Sequence, residues 1–176
     1  MRAAILLVTL AVGCGGDQKP AETAPTPTPT TTTTTAPSAN TTRQPVGTNL
    51  TVTDEIFRAC HLDVPSDLAA APKFAFDESL ITKADALVLD KIAVCLTTGP
   101  LANRHVRLTG RADPRGTEEY NLSLGARRAH GVATYLEQHK VQGSDLNETS
   151  RGALDATGTD EQTWAKDRRV DIALAP

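Results

Sequence analysis

The sequence predicts an α+β domain, a two-layer arrangement of a small mixed sheet with helices on one face, set behind an unstructured tether. Three observations predict it. Composition changes at about Thr53, because residues 17–49 carry almost no bulky apolar side chain and are crowded with Thr and Pro. Beyond that point, short runs alternate polar and apolar residues as strands do. Between those runs, apolar residues recur at helical spacing behind capping residues.

The elements follow in order. Thr53 to Cys60 reads as a short helix, with Thr53 as N-cap and Asp54 and Glu55 in the first turn. Lys73-Phe74-Ala75-Phe76, bounded by Pro72 and Asp77, reads as a strand. A helix follows over 82–97, opened by Thr82 facing Asp85 three positions on, with Leu89, Ile92, Ala93 and Leu96 in helical register. His105 to Thr109 alternates and stops at Gly110. Leu122, Ala126, Ala129, Val132, Ala133 and Leu136 mark a second long helix from Thr117 to His139. Asn147 to Ser150 is a weak strand. Thr159-Asp160-Glu161-Gln162 has a capping-box pattern for a short helix carrying Trp164, and Val170 to Leu174 is a clear strand.

Ahead of the domain, Met1-Arg2 and the apolar stretch Ala3 to Val12 have the charge and length of a secretory signal ending in small residues. Ala11-Val12-Gly13-Cys14 is similar to the bacterial lipobox, with Ala11 where Leu is usual, and on that reading Cys14 is lipidated; the alternative is an ordinary signal peptide cut nearby. Six consecutive threonines, Thr30 to Thr35, among alternating prolines cannot build a core and form a semi-stiff spacer. The expected organisation is a signal over 1–13, lipidated Cys14 and linker over 14–52, a short helical segment over 53–71 and a domain over 72–176. Cys60 and Cys95 remain, either paired, as exported proteins favour, or buried as thiols.

Several function classes fall away. From Thr51 onward there are 15 basic and 19 acidic side chains, which disfavours nucleic acid as a partner. No apolar run reaches the roughly 20 residues of a membrane-crossing helix. Hydrolase signatures are absent, and His61, His105, His130 and His139 have no metal-ligand spacing, so neither catalysis nor a cofactor or metal is expected. Arginine density does stand out. Arg104, Arg107, Arg111, Arg115, Arg127 and Arg128 cluster around Asp113, with Arg151, Arg168 and Arg169 later. One Asp and one or two Arg suit a zwitterion, ammonium to the Asp and carboxylate to the Arg. Equally, these arginines can pair internally with Asp77, Asp167 or Asp171.

Gly110-Arg-Ala-Asp113-Pro-Arg115-Gly116-Thr-Glu-Glu-Tyr120-Asn121-Leu-Ser-Leu124-Gly125-Ala-Arg127-Arg128-Ala129 closely resembles the OmpA-like peptidoglycan-binding domain, in the version found in peptidoglycan-associated lipoproteins. The resemblance extends to Phe74-Ala75-Phe76-Asp77 and to Trp164-Ala-Lys-Asp-Arg168-Arg169-Val170, covering Pro72 to the C-terminus. It implies a βαβαβ-type fold that grips the diaminopimelate end of the peptidoglycan stem without catalysis. Asp113 and Arg128 fall on the family's ligand-binding positions, and Asp77 and Arg169 on positions that line or support the pocket. It also implies a second helix that effectively begins near Ser123, as N-cap, rather than at Thr117. Arg111 stands where His is common, adding charge to the pocket, and Asp167 replaces a common Asn. The expected setting is the outer membrane, held by the lipid anchor, with the domain in the periplasm. The alternatives are a scaffold for a Tol-type envelope complex and a wall hydrolase.

Overall fold

The computed structural model describes residues 43–46, 49–62 and 74–176. The signal, Cys14 and most of the tether lie outside the described residues.

The strands are β1 (Arg43–Pro45), β2 (Leu50–Thr53), β3 (Val106–Arg111), β4 (Leu146–Gly152) and β5 (Val170–Leu174). Between them run α1 (Asp54–Ala59), α2 (Lys83–Thr97), α3 (Glu118–Gln138) and α4 (Glu161–Asp167), with a 3₁₀ turn at Gly143–Asp145. One mixed sheet runs in the order β1-β2-β5-β3-β4. β5 pairs parallel with β2 and antiparallel with β3, which is parallel to β4.

Strand alternation divides the sheet into two unlike faces. Leu50, Val52, Val106, Leu108, Val170 and Ile172 share one side, where Ile56, Leu89, Ile92, Val132 and Leu136 from the helices close the core over them. Asp171 and Thr109, which are register partners, lie on the other side with Arg111. This is the predicted two-layer α+β arrangement.

Several boundaries differ from expectation. Leu50–Thr53, assigned to the tether and to a helix cap, is a strand, and so is Arg43–Pro45 before it. The sheet therefore begins ahead of the expected domain boundary. Conversely, Phe74–Phe76 is not a strand: Asp77 turns back at φ 65, Glu78 N donates to Ala75 O at 3.1 Å, and β2 takes the place beside β5. Thr53 occupies the α1 N-cap position, but its buried hydroxyl makes no capping bond. Gly110 lies within β3 rather than ending it.

The α2 capping box forms as predicted: Thr82 Oγ1 accepts from Asp85 N at 3.2 Å, and Asp85 accepts from Thr82 N at 3.2 Å. At α4 the box is shifted by one residue, to Asp160 and Thr163. α3 begins at Glu118, with Thr117 Oγ1 accepting from Tyr120 N, as the residues alone predict. The later start implied by the resemblance is incorrect, because Ser123 lies inside the helix and accepts from Arg127 Nη1 at 3.0 Å.

Cys60 and Cys95 are joined, tying the end of α1 to α2 across 35 positions. Closing a loop of that length stabilises the fold by about 4 kcal/mol in the chain-entropy account.

Candidate ligand site around Asp113 and Arg128

β3 delivers the site. Its backbone continues past Arg111 through Ala112, whose N–H donates to Gly152 O at 2.9 Å, and places Asp113 just beyond the strand end. Gly116 then adopts φ 90, a left-handed turn that glycine takes without a Cβ clash, and Thr117 starts α3. Asn121 Nδ2 reaches back to Arg115 O at 2.9 Å and fixes the loop.

Asp113 is 4% exposed, and its carboxylate is fully engaged. Oδ1 accepts from Arg115 N and Nε, both at 3.1 Å; Oδ2 accepts from Arg115 Nη2 at 2.7 Å and Arg168 Nη1 at 3.0 Å. Burial pushes this carboxyl up, but the Arg115 and Arg168 hydrogen bonds outweigh it and hold Asp113 below its usual range. Arg168 is itself buried. It donates to Phe74 O at 2.5 Å and to Glu161 Oε1 at 2.6 Å, so from the end of α4 it ties the Phe74 segment and the start of that helix to Asp113.

Arg128 projects from α3 into the interior and is 0% exposed. Nε donates to Glu78 O and Nη1 to Arg111 O, each at 2.8 Å, and the guanidinium lies 4.7 Å from the Phe74 ring centroid. Nη2 is buried and finds no partner among the described residues. Burial first, then repulsion from Arg168, pulls Arg128 down to about 10, which leaves it cationic at neutral pH. This buried cation therefore has the capacity to donate to one further acceptor.

The other candidate residues lie in different surroundings. Asp77 is brought to the rim: it sits in the turn, accepts from the Tyr120 hydroxyl, and lies 3.7 Å from Arg127 Nη2. Arg169 is not brought to Asp113. Its Nε donates to Asp171 Oδ1 at 2.9 Å on the opposite sheet face, and the neighbouring Arg168 takes the position at the site. Arg111 likewise adds no charge to the pocket, because its Nε donates to Asp171 Oδ2 at 2.5 Å, beside Arg43, and its Nη1 pairs with Asp155. Asp167 is a structural acceptor for Gly158 N at 2.9 Å and Thr157 N at 3.3 Å. Arg115 has a further environment that the sequence did not reveal: its guanidinium lies 4.4 Å from the Phe76 centroid and 4.3 Å from that of Trp164.

Asp155 is held well below its usual range, by Arg151 first and then Arg111, and Asp113 is also held below its own. A carboxyl with a depressed folded pKa adds stability that is complete above its unfolded value and is lost as pH falls through the folded one. Stability is therefore expected to stay level from neutral pH to about 4 and to fall only below that. Denaturant midpoints from pH 2 to 7 check this; a decline beginning near pH 6 contradicts it.

A family model described as the OmpA family matches residues 73–170. The chain belongs to the OmpA family. Two relatives of this OmpA-family chain are each named peptidoglycan-associated lipoprotein. That of Pseudomonas putida is 42% identical over 101 residues, covering 56% of this chain and 59% of the relative. That of Haemophilus influenzae is 38% identical over 102 residues, covering 57% and 65%. The chain thus spans less than two-thirds of either relative's length. The crystal structure of the peptidoglycan-associated lipoprotein from Burkholderia pseudomallei is 33% identical, with a TM-score of 0.55, and covers 61% of this chain and 92% of that one. The C-terminal domain of Helicobacter pylori MotB, at 23% identity and a TM-score of 0.52 over 60% of this chain, shares the fold. No helix among the described residues of this OmpA-family chain is long and apolar enough to cross a membrane, and no cluster of metal-ligating side chains occurs among them.

Proposed function

We propose that this chain is a lipid-anchored outer-membrane protein whose domain binds the diaminopimelate-containing stem of peptidoglycan in the periplasm and so tethers membrane to wall, without catalysis. The observation that carries the reading is the unpartnered Nη2 of Arg128, a buried cationic donor close enough to Asp113 to feel its charge. A zwitterion can serve both groups: its carboxylate completes Arg128, and its ammonium takes the place of one of the donors now on Asp113. Membership of the OmpA family and relatives named for association with peptidoglycan support the same ligand. The expected anchor is Cys14, followed by the Thr/Pro-rich spacer.

The test is co-sedimentation of the full chain, in mild detergent, with purified diaminopimelate-type sacculi. The chain is expected to pellet, to be released by soluble diaminopimelate tetrapeptide, and to liberate no soluble wall fragments. If it stays in the supernatant, the wall-binding reading is wrong; if fragments appear, the non-catalytic reading is wrong.

A further inference from the structure

A carboxylate has about four lone-pair directions, and all four on Asp113 are filled: three by Arg115 and one by Arg168. A ligand ammonium cannot reach Asp113 unless one donor yields. Arg168 is 4% exposed and anchors three parts of the fold. The Arg115 side chain is 32% exposed and extends from a loop whose backbone is held separately by Asn121.

We infer that Arg115 is an internal stand-in for the ligand's ammonium, a self-competing cation that must leave Asp113 before a ligand binds and so sets the affinity and cation selectivity of the site. This rests on the zwitterion reading above and adds a step that the reading does not contain. Two features favour such a hand-over. Arg115 Nη1 already lies 3.4 Å from Glu161 Oε2, an exposed carboxylate able to receive the guanidinium when it leaves Asp113. The Phe76 and Trp164 rings, both within 4.4 Å of the Arg115 guanidinium, give it aromatic contacts that a planar guanidinium can keep as it shifts. Arg115 is thus held in two places by partners of the same chemistry, which keeps the cost of displacement low. A ligand without an ammonium has nothing to offer Asp113 in exchange, so Arg115 acts as a filter against it.

The test is calorimetric titration of the full chain with disaccharide tetrapeptide carrying diaminopimelate, comparing wild type, Arg115→Ala and Arg115→Lys. Emission of Trp164, the single tryptophan, is followed in parallel. Thermal melts establish that each variant is folded. Removing the competing cation is expected to tighten binding about tenfold in Arg115→Ala, with Arg115→Lys in between. Trp164 emission should change on binding in wild type and much less in Arg115→Ala. The same peptide acetylated on its diaminopimelate amine should bind weakly to wild type and less weakly to Arg115→Ala, from which the filter is gone. If wild type binds and Arg115→Ala binds equally or more weakly, the inference is overturned while the wall-binding reading stands. If neither protein binds the peptide, both fall together.

Discussion

Gly110→Ala yields no cooperatively folded domain. Gly110 of β3 and Gly125 of α3 meet backbone to backbone: a Cβ on Gly110 overlaps the Gly125 carbonyl oxygen, and one on Gly125 lies 2.8 Å from Gly110 O and runs into Ser150 Oγ. Ser150 cannot withdraw freely, because its hydroxyl donates to Leu122 O at 2.7 Å and accepts from Gly152 N at 3.2 Å. Ordinary overpacking costs about 1–3 kcal/mol because a side chain moves aside. Here both parties are backbone, so α3 must lift from the sheet, and the cost rivals the whole stability of a small domain, about 5–15 kcal/mol. Loss of the thermal transition by circular dichroism is the expected readout; a transition near that of wild type contradicts it.

The second large effect separates two adjacent arginines. Arg168→Leu leaves the buried Asp113 carboxylate without its interior partner and strips Phe74 O of its donor, so a loss of about 3 kcal/mol is expected. Arg169→Leu leaves Asp171 with Arg43 and Arg111 and costs about 1 kcal/mol. Denaturant midpoints measure both. Equal effects at 168 and 169 would overturn the assignment of Arg168 to this site.

Which of the paired arginines reaches Asp113 was legible in principle. Val170 and Ile172 are the apolar, helix-facing residues of β5, so strand parity sends 168 to their side and 169, with Asp171, to the other. The same parity places Arg111 away from the pocket. The long helices were legible because their caps and periodicity agree, yet the α3 stripe is less regular at its start than the spacing predicts, with Leu122 only partly buried and Ala126 exposed. Leu124, Gly125 and Arg128 are buried there, where glycine contact and a buried cation replace apolar side chains. β2 was not legible, because Leu50-Thr51-Val52-Thr53 is four residues long and follows a Thr-rich stretch whose composition points to linker. Phe74 departs from its strand pattern for a converse reason. Alternation looked like a strand, whereas the Phe74 ring packs against the Arg128 guanidinium and its carbonyl serves Arg168, tasks set by partners 54 and more positions away.

Affinity of Arg128→Met for soluble diaminopimelate tetrapeptide, measured by calorimetry beside wild type, tests the central claim most directly. Methionine fills the buried volume without the charge, and a melt shows whether the fold is kept. Losing a buried partner for the carboxylate should weaken binding by at least about thirtyfold, the equivalent of 2 kcal/mol. A folded Arg128→Met protein that binds the peptide as wild type does would contradict the account.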